Sequence, residues 1–192
     1  MARKREFRQD KPRSGLLSKL YLTKNQRRSL GKWTLYGLVL LVLSVLQDVI
    51  FCRLRVYGAT TELVPVAIFL ICIIEGAQSG SVFALVSGAA YLFSGTAPGV
   101  YAMVFIVFAG VAVSVFRQAY LQKGFGAALF CAAVAMLLYE LSVFGMGLFL
   151  GLTIPARFPG FMITTGLSLI AVPVLYPVVL FIGSLGGEAW KE

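Results

Sequence analysis

Apolar residues along this chain come in long runs divided by short polar punctuation, the pattern of helices buried on every side rather than of amphipathic surface helices. After a polar opening segment the runs fall at about 33–51, 63–77, 79–93, 100–116, 125–150 and 161–183. About 20 consecutive apolar residues make a helix long enough to cross the hydrocarbon core of a bilayer. The pattern therefore predicts an all-α membrane protein of six transmembrane helices. Its domain organisation reads as a tail over 1–32, a membrane domain over 33–186 and a short tail over 187–192. The second run is short, and the turn 75–80 that separates it from the third is tight and nearly uncharged. Fusion of those two runs would leave five spans and move the C-terminus to the other side. Pro173 and Pro177 lie four apart in the last run, where each removes a helical donor and should kink the span.

Charge orients this pattern. The chain carries 17 Lys and Arg against 8 Asp and Glu, a formal net charge of +9. Most of the excess precedes the first run, from Arg3 and Lys4 through Arg27, Arg28 and Lys32. With six spans, Arg117, Lys123 and Lys191 join that tail on one side, and Arg53, Arg55 and Arg157 remain on the other. The positive-inside rule then places both termini in the cytoplasm. A basic tail also suits nucleic acid. Topology already accounts for this one, so anionic lipid is the expected partner of the tail and nucleic acid is not. Within the tail, the apolar residues of 15–22 (GLLSKLYL) suit a short interfacial helix, and Lys32 with Trp33 suits an interfacial anchor. The long tail, the full-length first run and the lack of an A-x-A site make that run an anchor rather than a cleaved signal.

Composition narrows the chemistry. At 59% hydrophobic residues and a mean hydropathy of +0.87, the spans consume nearly all of the 192 residues and leave no room for a separate catalytic domain. There is no histidine, which removes His-activated nucleophiles, His-ligated haem and zincin-type metal sites. Cys52, Cys72 and Cys131 are far apart, without metal-ligand or disulfide-framework spacing. Neither a cofactor nor a metal is expected.

Three acids within or beside the runs need an account, because charge in hydrocarbon costs at least a few kcal/mol. Glu140 is the deepest, beside Tyr139 in the fifth run; it reads as a carboxyl hydrogen-bonded to another helix, with a cation or proton pathway as the sharper alternative. Asp48, with Gln47, ends the first run near Arg53 and Arg55, which suits an interfacial salt bridge. Glu75 closes the second run and is expected to reach water. An aspartic intramembrane protease needs two facing aspartates, and the runs hold Asp48 alone.

The other feature is a stripe of small residues. Gly76, Gly80, Ala84 and Gly88 recur every fourth residue and share one helical face. In lipid, where apolar burial does not drive helix association, such faces let backbones approach closely. The stripe is a candidate contact with another helix of this chain or of a partner, continued by Gly95 and Gly99 in the loop that follows.

In its order of features the chain resembles the MreD family of bacterial rod shape-determining proteins. The resemblance rests on Leu46–Gln47, on Gly58, on Glu75–Gly76, and on Gly80, Gly88, Ser94–Gly95, Gly99 and Tyr101. It covers about 46–116; beyond that the likeness is one of hydropathy. Tyr91 stands where the family usually carries an aspartate, and Pro65 follows the position near Thr61 where a proline is usual. The resemblance implies a multi-pass protein of the bacterial cell membrane, with a compact bundle similar to the S-components of energy-coupling vitamin transporters. It implies a non-catalytic scaffold that binds an MreC-like single-span protein, and through it MreB-like filaments and the peptidoglycan synthases. The competing reading is a vitamin-binding S-component. Against it, the first span has no alanine and so lacks the A-x-x-x-A docking motif; for it stand the polar residues Asp48, Arg53, Arg55, Glu62 and Arg157 at the outer loops.

Overall fold

The computed structural model describes residues 24–53, 58–95, 97–121 and 124–185. Among these residues seven α-helices follow in order: α1 Lys24–Leu46, α2 Leu63–Glu75, α3 Ala77–Phe93, α4 Val100–Tyr120, α5 Phe125–Phe149, α6 Phe158–Leu169 and α7 Val172–Leu185. A π-helical turn, Gln47–Phe51, prolongs α1, and a 3₁₀ turn, Pro155–Arg157, leads into α6. Among the described residues three helices are long and apolar enough to cross a membrane: α1 with its π turn, α4 and α5. The bent pair of α6 and α7 makes a fourth if it is one span. The predicted interfacial helix at 15–22, the C-terminal tail, Arg55 and Lys123 lie outside the described residues.

Two boundaries differ from those the hydropathy pattern predicts. The helix of the first run begins at Lys24, inside the predicted tail, because a helix continues through polar residues once they leave the apolar zone. The last run is two helices meeting at 50°. The bend comes at Ile170 and Ala171, whose N–H groups turn back to Leu167 and Ser168 three residues earlier. Pro173 explains the place: it has no N–H to offer Leu169, and a proline is at ease in the first turn of a new helix. Pro177 sits inside α7, which continues through it.

α2 is the axis of the bundle. Every residue from Leu63 to Ile74 is buried. A helix apolar all round has no face to give to water, so it is enclosed on all sides, here by α3, α4, α5 and α7 with α1 alongside. With 13 residues it is about 20 Å long, shorter than the roughly 30 Å hydrocarbon core. The chain enters α2 from a turn at Gly58, with Ala59 buried and Glu62 in extended geometry.

The second and third runs do not fuse. Gly76 joins them at a φ of +88°, a left-handed conformation that glycine adopts without steric cost, and α3 folds back along α2. The small residues make that return close: the Cys72 thiol donates to the Gly80 carbonyl at 3.3 Å, and Gly110 of α4 packs on the same Cys72 side chain.

Candidate functional site

Since α2 itself is wholly apolar, the polar chemistry gathers at its two ends. At the Glu75 end, Lys32 Nζ donates to Glu75 Oε2 at 2.6 Å and the Tyr36 hydroxyl donates to Glu75 Oε1 at 2.8 Å. The same hydroxyl lies 3.2 Å from the Val179 carbonyl of α7. Trp33, Tyr36 and Phe83 form a ring cluster with centroids 5.4–5.8 Å apart, and Lys32 Nζ lies 5.1 Å from the Trp33 ring. The Arg117 guanidinium donates to the Ile73 carbonyl, placing a cation at the negative end of α2. Glu75 is thus not a solvated helix end, and Lys32 is not a surface anchor. Antiparallel packing of α1 on α2 brings them together, and their side chains are 8% and 9% exposed.

At the other end, Gln47 caps α2 from a different helix. Its Oε1 accepts from the N–H groups of Leu63 and Val64 at 2.8 and 3.0 Å, and its Nε2 lies 3.4 Å from the Tyr91 hydroxyl of α3. Orphan donors at a helix start need such a partner. Because Gln47 supplies it, the N-cap residue Glu62 makes no side-chain cap bond. Its backbone N–H donates to Ser168 Oγ at 2.8 Å.

Beside this cap lies a cavity of about 840 Å³, lined by Glu62 and Glu140 with Thr60, Thr164, Phe161 and Arg157 among others. Glu140 is 2% exposed, and its Oε1 has no hydrogen-bond partner among the described residues; Glu62 Oε2 and the Tyr139 hydroxyl are buried side by side. Among the described residues Glu140 makes no hydrogen bond to another helix. Asp48 makes no ion pair among the described residues, and its Oδ1 is buried without a partner. Among the described residues no three His, Cys, Asp or Glu side chains gather as metal ligands.

The small-residue stripe faces inward. A β-carbon on Gly80 would meet the Cys72 backbone and one on Gly88 would meet Met103, while Ala84 is fully buried between them. Gly76 is the hairpin hinge, Gly95 turns the chain at a φ of +79°, and Gly99 packs under the Tyr101 ring. Sequence reasoning missed the pairing of Glu62 with Glu140 and of Lys32 with Glu75, partners 78 and 43 positions apart with no shared period. The available signal was a charged residue at the edge of an apolar run. Comparison of the chain with family models, with curated proteins and with solved structures finds no match.

Proposed function

We propose that this chain is a non-catalytic scaffold of the bacterial inner membrane, serving the rod-shape and peptidoglycan elongation machinery. In this reading it crosses the membrane six times with both termini cytoplasmic, and holds an MreC-like single-span protein through its transmembrane helices. The observation that carries the reading is the meeting of Gln47 with Leu63, Val64 and Tyr91. Gln47 belongs to the Leu-Gln element of the resemblance, and Tyr91 occupies the position of the family's aspartate. Residues that carry a family pattern thus tie together the first three helices, which is the job of a framework.

The stripe is occupied within the chain, so the partner needs another face. α1 offers one. Only 22% of its apolar window is buried, against 39% and 50% for α4 and α5. Between α1 and α3 runs an apolar groove of about 350 Å³ whose walls include Gly37, Ser44, Ser87 and Ala90. Small residues of this kind let a further helix approach closely. The exposed Arg27 and Arg28 at the start of α1 add attraction for anionic lipid.

Purification from the native membrane tests the reading. An MreC-like bitopic protein is expected to accompany the chain. Recovery with ATPase subunits or a bound vitamin would replace the scaffold by a transporter S-component. A leucine at Gly37, where a β-carbon meets nothing within 4 Å, should release the partner and leave the fold intact.

A further inference from the structure

We infer that the cavity at the Glu62 end of α2 is a binding site for a small organic cation, an amine or amidine attached to an apolar body. The inference does not rest on the scaffold reading, and its failure would leave that reading in place.

Two carboxyls converge on the cavity from different elements, Glu62 at the start of α2 and Glu140 from the middle of α5. Glu140 Oε1 is buried without a hydrogen-bond partner among the described residues, and Glu62 Oε2 is buried with the Tyr139 hydroxyl beside it. Buried polar atoms are nearly always paired, and an unpaired one costs the full desolvation of the group. Glu140 Oε1, with a second carboxyl lining the same cavity, marks a wall that lacks a donor. Ionised beside a bound cation, each carboxyl would be an acceptor and nothing else, so the groups that fit are N–H donors and the charge that fits is positive.

Among the described residues no basic side chain forms an ion pair with Glu62 or Glu140. Lys32 is held by Glu75 and Arg117 by Ile73, both at the far end of α2. Arg157 lines the same cavity, is exposed, and forms no ion pair with either carboxyl. A hard metal ion suits the wall poorly, since calcium takes six to eight oxygens and magnesium an octahedron, and two carboxyls lack a third acidic ligand among the described residues. The remaining walls are apolar or small, with Phe161, Ile163, Pro98 and Pro159 among them. At about 840 Å³ the space falls in the range of small-molecule sites. An ammonium or amidinium reaching both carboxyls, with its hydrocarbon part against Phe161 and Ile163, satisfies every one of these demands.

The test uses the full chain in lipid nanodiscs, titrated calorimetrically with phenethylammonium and benzamidinium, and with neutral 2-phenylethanol as the uncharged match in shape. The two cations are expected to bind saturably and the alcohol not to bind. Glu140→Gln and Glu62→Gln should each weaken the cations by about thirtyfold or more, the usual loss when one partner of a buried charge pair is removed. A second readout needs no variant. A hydrophobic carbodiimide modifies buried carboxyls, and mass spectrometry should show modification of Glu140 slowed by either cation and unaffected by the alcohol. Absence of saturable cation binding in the millimolar range overturns the inference. So does equal binding of cation and alcohol, unchanged binding in both variants, or binding of calcium in place of the amines.

Discussion

A β-carbon on Gly80 would stand 2.8 Å from the α-carbon of Cys72, closer than backbone and side chain can come. Two opposing effects decide what Gly80→Ala does. Alanine in a helix is favoured over glycine by roughly 0.5–1 kcal/mol, whereas forcing a methyl into a packed contact costs about 1–3 kcal/mol. The obstacle is the backbone of α2, itself enclosed on all sides, so it has nowhere to retreat and the clash wins. Gly80→Ala should lower the unfolding midpoint in mixed micelles. Gly145→Ala, where a β-carbon meets nothing within 4 Å, should not. Equal midpoints for the two variants would show that α2 and α3 are not in such close contact.

Lys32 and Glu75 give a second prediction. Removing one member of a buried ion pair leaves a charge uncompensated, at a cost of about 3–5 kcal/mol. In Lys32→Met, Glu75 keeps the Tyr36 hydroxyl as a donor, which places the loss near the lower end, at about 3 kcal/mol. The double variant Lys32→Met with Glu75→Gln should recover most of it, because no charge is then left behind. A double variant less stable than the single one would mean that the pair contributes through packing and not through charge.

How far these features were legible in the sequence follows from their physics. The helices α2 to α5 were readable to within about four residues at each end, since Gly, Pro and charged residues break the apolar runs where the helices end. The start of α1 was not, because hydropathy reports the membrane and not the helix, and Arg27, Arg28 and Lys32 are helical without being apolar. Ala84 and Gly88 were recognisable as a close-packing face, but the period that reveals a face carries no information about its occupant. For the same reason Glu140 could be singled out as a costly charge, while its neighbour across the cavity, Glu62, looked like a loop residue. Only the packing of α2 against α5 brings Glu62 to the same cavity.

Gln47 tests the cap at the Glu62 end of α2. Replacing it with leucine leaves the N–H groups of Leu63 and Val64 without their acceptor. An unsatisfied buried amide costs about 1–3 kcal/mol. Because the neighbouring cavity has room for water to reach the start of α2, the lower figure applies and the total should be about 2 kcal/mol. Glu at 47 retains an acceptor oxygen and should restore most of the stability, though it cannot donate to Tyr91. Hydrogen exchange read by mass spectrometry should show faster exchange over Leu63 and Val64 in Gln47→Leu and near-normal protection in Gln47→Glu. Unaltered exchange in the leucine variant would remove Gln47 as the cap.

The three cysteines report orientation. Cys52 is exposed just past the π-helical turn, at the Glu62 end, whereas Cys72 and Cys131 are buried in α2 and α5. Maleimides need an accessible thiolate, so burial alone should silence the two inner thiols until the protein is denatured. If the basic start of α1 is cytoplasmic, as proposed from the excess of Lys and Arg there, Cys52 lies on the outer face. A membrane-impermeant maleimide applied to intact protoplasts should then label Cys52, and Cys52→Ser should abolish the signal. Labelling that appears only after permeabilisation would reverse the chain in the membrane. The cavity with Glu62 and Glu140 would then open to the cytoplasm, and Arg27 and Arg28 would lie where no cytoplasmic lipid charge can attract them. That outcome would defeat the proposed topology and, with it, attachment of the scaffold to machinery inside the cell.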